Sequence, residues 1–400
     1  MRKNNSSLGM VFVLILSAAL IYSNDSSLRA ADDPPPPPPV PGFMIDGKQP
    51  FRFVGGFIPA WHWDQSAATD DNLMQTARAF GITVLVAMVP DFEKELGYYS
   101  EPELVKLDHF LDFARKQNIY VMISFIHAGD TLQPDSPYYH PRGIEGLIKN
   151  STLRQAFRKR IAALVNRKNT LNGRMYKNDP TLMGWILCME PISSQDYPNG
   201  LPRVTLEQMT DWFRETASDV KRVDSNHLVT VQIQPAFQSF FGTGGEFLTA
   251  VSIPHFDFVY AEDPDQRIIM NAPDNDFCLR LFNAGKPVVF SPAFTGDTWN
   301  QTAICKDYDF QGDYLERSTV AYFEAGGSGV VIQSLASDIG AIPSSDQCYT
   351  YIHGNTVIRR YLTSFSTWIN PDGLPGTLQF LLPRYRLPSS TSPIHMLLLE

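Results

Sequence analysis

A carboxylate at the end of an apolar run is the group best suited to chemistry in this 400-residue sequence. The run Leu182–Met189 is typical of a fully buried strand, and Glu190 follows it directly, ahead of Pro191. Such an acid either faces a site at the mouth of the strand or needs a partner that neutralises it, because an unpaired buried charge is costly. Glu190 is therefore a candidate acid–base group.

Aromatic and acidic side chains follow the other predicted strands in a similar way. The candidates for substrate contact are Trp61, Trp63, His127 and Trp299, and those for a second carboxylate are Glu262, Asp263 and Asp297. Indole rings stack on the C–H faces of sugars and carboxylates accept hydrogen bonds from sugar hydroxyls, so the combination favours a carbohydrate ligand. Rim packing of the aromatic rings, a structural histidine and a solvated loop at Glu262–Asp263 would explain the same residues without a function.

The elements that must position these residues alternate along the chain. The predicted strands are Phe51–Gly55, Ile82–Met88, Ile119–Phe125, Leu182–Met189, Leu228–Ile233, Phe256–Tyr260, Pro287–Phe290 and Gly329–Gln333. The amphipathic segments between them include Glu101–Lys116, Thr152–Arg167, Leu206–Val223 and Tyr314–Ala325. Eight apolar strands, each followed by a helix, favour parallel pairing and predict a single-domain (β/α)8 TIM barrel, whose active site lies at the C-terminal ends of the strands. A doubly wound open sheet is the alternative, but no Gly-x-Gly-x-x-Gly motif follows the first strand.

The first 31 residues have the order of a secretory signal peptide. Arg2 and Lys3 precede the apolar segment Leu8–Tyr22, and small residues follow. The apolar segment is shorter than the ~20 residues that a membrane-spanning helix needs. We therefore expect a secreted, extracellular or cell-wall protein that has no contact with a membrane after cleavage.

The composition of the rest of the chain predicts three regions. Residues 32–41 form a proline-rich linker, residues 42–370 the predicted barrel, and residues 371–400 a C-terminal tail without a clear period. The sequences Asn150-Ser-Thr and Asn300-Gln-Thr are glycosylation acceptors on a eukaryotic secretory route.

Charge and cysteine spacing exclude several functions. The net charge of −9 and the lack of a basic run argue against nucleic-acid binding, which needs clustered Lys and Arg. Cys188 lies in the buried run and is predicted to be a free core thiol, whereas Cys278, Cys305 and Cys348 leave room for one disulfide, with Cys305–Cys348 as a candidate pair. Their spacing is not that of a zinc site, and we expect neither a metal nor a cofactor.

Five segments resemble glycoside hydrolase family five, in particular the secreted endo-β-1,4-mannanases of plants and fungi. The distinctive segments are "YKNDPTLMGWILCMEP" and "VKRVDSNHLVTV", which look like the family's fourth strand with its Asn-Glu-Pro and the helix leading into its fifth strand. The segments "GKQPFRFVGG", "IPHFDFVYAEDPDQ" and "GKPVVFSPAF" are similar to its first, sixth and seventh strands. The resemblance runs from about Gly47 to Trp368. It implies the barrel fold and a β-1,4-mannan-type polysaccharide as the partner.

The resemblance also implies a retaining mechanism, which needs one carboxylate as acid/base and a second, about 5–5.5 Å away, as nucleophile. Matched on the motif, Glu190 takes the acid/base position. The nucleophile position falls on Ser291, Pro292 or Ala293. Proline and alanine carry no nucleophilic group, and an unactivated serine is too weak to attack an anomeric carbon.

Residues that support catalysis in the family are replaced as well. Met189 stands where the family has the Asn that holds the substrate 2-hydroxyl, and Val86 stands near its second-strand arginine. Ala261–Asp263 replaces its sixth-strand His and Tyr, and "GVVIQSLASD" lacks its eighth-strand Trp. These replacements favour relaxed or redirected chemistry around one remaining carboxylate.

Three hypotheses follow. The first is a secreted mannanase-like barrel with impaired or lost hydrolysis that keeps a glycan-binding cleft. The second is an active glycosidase whose second carboxylate has moved to Glu262, Asp263 or Asp297, and a separation of ~6.5–9.5 Å would then suit an inverting mechanism. The third is a structural or signalling protein of the cell wall that binds no sugar.

Overall fold

The structure is a computed structural model. It describes residues 42–45, 49–58, 67–192, 202–233, 250–263, 282, 284–292, 319, 322–323, 326–332, 335–336 and 350–351. Several predictions fall outside these ranges: the signal peptide, the linker to residue 41, the tail, Trp61, Trp63, Cys278, Ala293, Asp297, Trp299, Asn300, Cys305 and Cys348. Asp263 and Pro292 are described in their backbone only.

The described elements follow in chain order. The first part contains β1 (Phe43–Ile45), β2 (Gln49–Phe51), β3 (Phe53–Ile58), α1 (Ala67–Ala79), β4 (Val84–Met88), β5 (Glu93–Glu95), β6 (Tyr98–Tyr99), α2 (Glu101–Lys116) and β7 (Tyr120–Ser124). The middle part contains α3 (Glu145–Lys149), α4 (Ser151–Val165), β8 (Leu182–Ile186), α5 (Leu206–Val223), β9 (Leu228–Thr230) and β10 (Gln232–Ile233). The last part contains β11 (Val259–Asp263), β12 (Val288–Pro292), β13 (Gly329–Ile332), β14 (Leu335–Ala336) and β15 (Thr350–Tyr351).

The main sheet is a ring of parallel strands. Its strands pair in the order β10-β11-β12-β13-β3-β4-β7-β8-β9. Because β9 and β10 are halves of one strand, separated only by Val231, the two ends of this order meet and eight strand positions close a barrel. This confirms the predicted (β/α)8 fold and excludes the open doubly wound sheet.

All eight predicted strands lie at barrel strands, with some differences in their bounds. The first barrel strand begins at Phe53 because Phe51 belongs to the antiparallel hairpin of β1 and β2. The sixth is Val259–Asp263 rather than Phe256–Tyr260, so that Glu262 lies in the sheet. The prediction that Glu262 belongs to a solvated loop was therefore wrong.

The helices follow from apolar periodicity and capping. In α5, Thr205 accepts a hydrogen bond from the Gln208 N–H and the Gln208 side chain accepts one from the Thr205 N–H, which forms a capping box. Its buried face recurs every three or four residues, at Met209, Trp212, Phe213, Thr216, Ala217 and Val220. The predicted helices Glu101–Lys116 and Leu206–Val223 are confirmed, Thr152–Arg167 is observed as Ser151–Val165, and Tyr314–Ala325 is described only at Thr319, Tyr322 and Phe323. Among the described helices, none is both long and apolar enough to cross a bilayer.

The inside of the barrel is packed with side chains. Apolar residues from all around the ring meet there, among them Phe53, Val84, Val86, Tyr120, Met122, Ile186, Val289 and Val331. Gly329 provides the room for Phe53, because a Cβ at Gly329 would lie 2.4 Å from the Phe53 ring. The ring of Phe43, on β1, lies 5.8 Å from that of Phe53 and 5.4 Å from that of Phe258, so the hairpin covers the N-terminal end of the barrel.

A buried carboxylate joins α2 to the segment that leads into β8. Asp108 accepts hydrogen bonds from Arg167 Nη2 at 2.6 Å, Tyr176 Oη at 2.6 Å and Thr170 Oγ1 at 2.8 Å. Burial raises the pKa of Asp108, but these three partners outweigh burial and lower it. The carboxylate is therefore ionised and holds the N-terminal side of the fold together.

Replacing Asp108 by Asn is expected to lower the free energy of unfolding by about 3 kcal/mol at pH 7, because the buried guanidinium of Arg167 then keeps only the exposed Glu101 as a charged partner. The folded pKa of Asp108 lies below its unfolded value of about 3.9. Its contribution is thus present above about pH 4 and is lost as the pH falls through the folded pKa. Urea unfolding from pH 7 to pH 2 should show the gap between wild type and D108N closing in acid.

The matched control is Asp211→Asn on α5, whose carboxylate is half exposed and pairs with Arg214 at the surface. It should change the free energy of unfolding by less than about 0.5 kcal/mol at any pH. Equal losses in the two variants would contradict the role assigned to Asp108.

Candidate active site

Backbone pairing of the fourth barrel strand extends beyond β8. Leu187 N donates to Thr230 O at 2.8 Å and Met189 N donates to Ile126 O at 3.0 Å. In the other direction, Ala128 N donates to Met189 O at 2.9 Å. The predicted strand Leu182–Met189 therefore corresponds to β8 plus three residues held by both neighbouring strands, and Glu190 is the first residue to leave the wall of the barrel.

Glu190 leaves the wall in a strained conformation. Its φ is +54°, in the left-handed region that residues with a Cβ rarely adopt. The following Pro191 adds to this conflict, since a residue before proline favours extended backbone. Strain of this kind persists only where the surrounding structure enforces it, and it concentrates at functional sites.

His127 lies beside Glu190 because the backbone of His127 pairs with that of Met189 at the ends of the two strands. Its Nδ1 accepts a hydrogen bond from the Gly129 N–H at 3.0 Å, which turns Nε2 towards Glu190 Oε2 at 3.3 Å. Both side chains are about one-quarter exposed, at 22% and 24%. The imidazole is thus oriented by its own loop and donates from Nε2 to the carboxylate.

The charges around His127 oppose the effect of its burial. Burial lowers its pKa, but the hydrogen bond and charge of Glu190 outweigh burial, and with the further charges of Asp130 and Glu262 they raise the pKa to about 9. Asp130 accepts a hydrogen bond from the His127 backbone N–H at 3.3 Å, and burial raises the pKa of Asp130. Nearby Cys188 is buried and free, as predicted, and burial raises its pKa as well.

The opposite wall of the barrel contributes polar side chains at the same level. Gln232 pairs with Tyr260 between β10 and β11, and Glu262 pairs with Ser291 between β11 and β12. All four residues are buried, and Glu262 is only 4% exposed. Because Phe258 and Tyr260 face the interior, alternation along the strand turns Glu262 inward too.

These six residues, His127, Glu190, Gln232, Tyr260, Glu262 and Ser291, are called the mouth cluster below. Electrostatics link its two sides, since the charge of Glu262 acts on His127 and the charges of Glu262 and Glu190 act on Tyr260. Burial first, and then these charges, raise the pKa of Tyr260, while the neighbouring side chains of Ser291 and Gln232 oppose the rise. Tyr260 is consequently a neutral phenol.

The structure brings together three of the predicted site residues, Glu190, His127 and Glu262. Ser291, a predicted nucleophile position, joins them, whereas Val86 and Met189 pack in the apolar interior. Trp61, Trp63, Asp297 and Trp299 lie outside the described residues, and so does the side chain of Asp263. Trp185, in the middle of β8, is fully buried.

Sequence reasoning missed Gln232 and Tyr260. Both occur in segments predicted as strands, and the signal that could have found them is alternation, because the inward positions of β9, β10 and β11 end on polar side chains near the C-terminal end. In the ranges that the structure describes, no group of three or more His, Cys, Asp or Glu residues could hold a metal ion.

Comparisons with known proteins show which proteins this chain is similar to. The family described as "GH family 5 beta-mannosidase-like" matches residues 143–258, a range that includes β8, Glu190 and β9. Mannan endo-1,4-beta-mannosidase 1 of Arabidopsis thaliana is 28% identical over 250 residues, covering 54% of this chain and 57% of the relative. Mannan endo-1,4-beta-mannosidase 4 of Oryza sativa subsp. japonica is 30% identical over 156 residues, covering 37% of this chain and 32% of the relative.

The chain is similar to the mannanases of glycoside hydrolase family 5, and it is called mannanase-like below in this sense.

Solved structures support the fold of this mannanase-like chain. The endo-1,4-beta-mannanase of Rhizomucor miehei superposes with a TM-score of 0.63 at 18% identity, covering 83% of this chain and 98% of the other. The hyperthermostable endo-1,4-beta-D-mannanase of Thermotoga petrophila superposes with a TM-score of 0.62 at 18% identity, covering 80% of this chain and all of the other. The mannanase-like chain spans about half the length of the curated relatives that it matches.

The positive φ of Glu190 predicts that a glycine variant at this position is more stable than an alanine variant, the reverse of the order in a helix. Glycine adopts that φ without a steric penalty and alanine does not, so Glu190→Gly should be more stable than Glu190→Ala by about 1 kcal/mol. Both variants lose the contact with His127, so the comparison isolates the backbone. Urea unfolding of the two proteins measures the difference.

The control pair is Glu215→Gly and Glu215→Ala, in the right-handed helix α5. There alanine should be the more stable residue by about 1 kcal/mol. The same order at both positions would refute strain at Glu190.

The ion pair predicts the titration of His127. NMR of the imidazole in the wild type should give a pKa of about 9. In Glu190→Gln the counter-charge is gone and burial dominates, so the pKa should fall below the ordinary value of about 6.5. Asp130→Asn, which removes a weaker contribution, should lower the pKa by less, and an unchanged pKa in Glu190→Gln would contradict the pairing.

Proposed function

We propose that the mannanase-like chain binds β-1,4-mannan-type polysaccharide at the C-terminal end of its barrel and that its retaining hydrolysis is impaired or lost. The relatives named for mannan hydrolysis support the ligand class. The observation that supports impaired or lost hydrolysis is the residue Ser291. It is one of the three positions, with Pro292 and Ala293, at which the resemblance places a nucleophilic carboxylate.

The surroundings of Ser291 do not activate it. Its hydroxyl is fully buried and donates to the Val331 carbonyl at 2.8 Å. Its other neighbour, Tyr260, is a phenol whose pKa lies above its ordinary range, so it is not a base that could remove the hydroxyl proton. A serine without a base is a poor nucleophile towards an anomeric carbon.

Glu190 keeps features of an acid–base group. It is about one-quarter exposed, lies beyond the last paired residue of its strand, and has a protonatable partner in His127. A sugar that enters the mouth would meet this carboxylate together with Gln232 and Tyr260, which offer donors and acceptors for hydroxyl groups. The mouth cluster is therefore suited to hold a glycan whether or not a bond is broken.

One observation favours a second candidate function, hydrolysis with a relocated carboxylate. Glu262 faces the interior and pairs in register with Ser291, so a carboxylate stands one strand away from the expected nucleophile position. With Glu190 as the acid, Glu262 would serve as nucleophile or as the base for a water molecule, according to the separation of the two groups.

We also propose that the protein is secreted and acts outside the cell or in the cell wall. The order of charge, apolar segment and small residues within residues 1–31 supports this. Secretion of the full-length chain by a eukaryotic host, followed by N-terminal sequencing, tests it. An N-terminus still at Met1, or retention inside the cells, would contradict the proposal.

The secreted protein is the material for the functional test. Binding of mannohexaose is measured by calorimetry and product release by chromatography, in wild type, Glu190→Gln, Glu262→Gln and the surface control Glu215→Gln. We expect saturable binding in all four proteins. We also expect that wild type releases no more product than Glu190→Gln.

Other outcomes separate the alternatives. Turnover that falls by about 100-fold or more in both Glu190→Gln and Glu262→Gln, but not in Glu215→Gln, would establish the relocated carboxylate. Absence of both binding and turnover would overturn the proposal and favour a structural or signalling role in the wall.

A further inference from the structure

A cavity lies beside the mouth cluster and takes no part in the function proposed above. It has a volume of about 190 Å³ and lies between the segment after β4 and the segment after β7, with Arg160 of α4 at its floor. Asp130, three residues beyond His127, belongs to its lining. The cavity is thus adjacent to the mouth but distinct from it.

The floor is held rigidly. Glu93 Oε2 accepts from Tyr138 Oη at 2.9 Å and from Arg160 Nη1 at 3.1 Å, while its Oε1 accepts from the Gly97 N–H at 2.7 Å. Arg160 Nε donates to the Phe125 carbonyl at 3.0 Å. Groups fixed in this way lose little freedom when a ligand binds.

Arg160 keeps donors that could serve a ligand. It is 6% exposed and has five N–H groups, of which Nε and one on Nη1 are hydrogen-bonded. Within the residues that the structure describes, the other N–H groups meet no protein acceptor, although Arg160 lines the cavity. A ligand in the cavity could accept hydrogen bonds from these groups.

The charges around the cavity define the ligand. Asp91, Asp130 and Asp135 line it, while Glu93 is already paired with Arg160 and Asp91 with Lys94. The carboxylates of Asp130 and Asp135 disfavour an anion, and the guanidinium disfavours a cation. A neutral polyhydroxyl compound suits both, because its hydroxyls donate to carboxylates and accept from the guanidinium.

Size and apolar lining complete the description. At about 30 Å³ per water molecule, the cavity holds about six waters, a volume comparable with one sugar ring. Val89, Pro90 and Pro137 supply apolar surface for the C–H face of such a ring.

We propose that this cavity binds one sugar unit of the polysaccharide whose neighbouring units occupy the mouth cluster. The proposal rests on glycan binding at the mouth for its choice of polysaccharide. It adds a contact that lies outside the barrel interior and depends on Arg160, Asp135 and Gln133.

Methyl NMR of the full-length chain tests the cavity directly. Val89 and Ile126 line it, whereas Ile119 lies at the opposite end of the barrel and serves as a control. Mannohexaose, and mannose at high concentration, should shift the methyl signals of Val89 and Ile126 but not that of Ile119. Inorganic phosphate should leave all three in place.

The matched variants are chosen to fold. Gln133→Ala/Asp135→Ala removes two exposed lining side chains and leaves the hydrogen bonds of Glu93 intact, and Asp211→Ala is the distant control. The double variant should weaken mannohexaose binding about tenfold and leave mannobiose binding unchanged, while Asp211→Ala changes neither. Arg160→Lys should show the same pattern, because a lysine cannot reproduce the forked geometry.

The outcomes separate the two proposals. Mannohexaose binding that is unaffected by the double variant, with Val89 and Ile126 unshifted, would overturn the cavity site and leave the proposed function standing. Shifts caused by mannose in a chain that binds no mannohexaose would overturn glycan binding at the mouth, and with it the polysaccharide named as the ligand of the cavity. Shifts caused by phosphate would overturn the assignment of a neutral sugar.

Discussion

Closure of eight parallel strand positions into a ring is the constraint on which the rest of the structure depends. A closed ring pairs its backbone groups without leaving an edge, but it encloses a space that side chains must fill. Phe53 and Tyr120 fill it near the N-terminal end. Position 329 must be glycine because a Cβ there would collide with the Phe53 ring. Polar side chains are then admitted where the ring opens, which explains why Gln232, Glu262 and Ser291 occur so late in their strands.

The same constraint explains how a charge can end a buried strand. The last three residues before Glu190 continue the hydrogen bonding of the barrel wall. This pairing fixes the backbone position of Glu190. His127 is delivered by the neighbouring strand in the same way and is turned by Gly129. Backbone pairing thus places the two residues side by side, and the Gly129 N–H orients the imidazole.

Sequence patterns predicted the barrel well, because continuous apolar strands and amphipathic helices such as Leu206–Val223 record burial directly. The boundaries were weaker where two elements meet without a turn signal, as between Phe51 and Phe53. The site was predicted in part. Glu190 was visible as a break in an apolar run, whereas Tyr260 and Gln232 were hidden, since their importance depends on inward alternation and on neighbours far away in sequence. The contact between Glu93 and Arg160, 67 residues apart, carries no local signature at all.

Strong polar anchors occur at the end of the barrel away from the mouth. Besides Asp108, the carboxylate of Asp224 accepts from Trp185 Nε1 at 2.7 Å and lies 2.7 Å from His227 Nδ1, just before β9 begins. These two anchors stabilise the barrel without using any residue of the mouth cluster. A lineage of such proteins can lose or exchange residues at the mouth without risking collapse of the scaffold, so the fold permits an enzyme to drift into a binding protein, or back again, through intermediates that all remain folded.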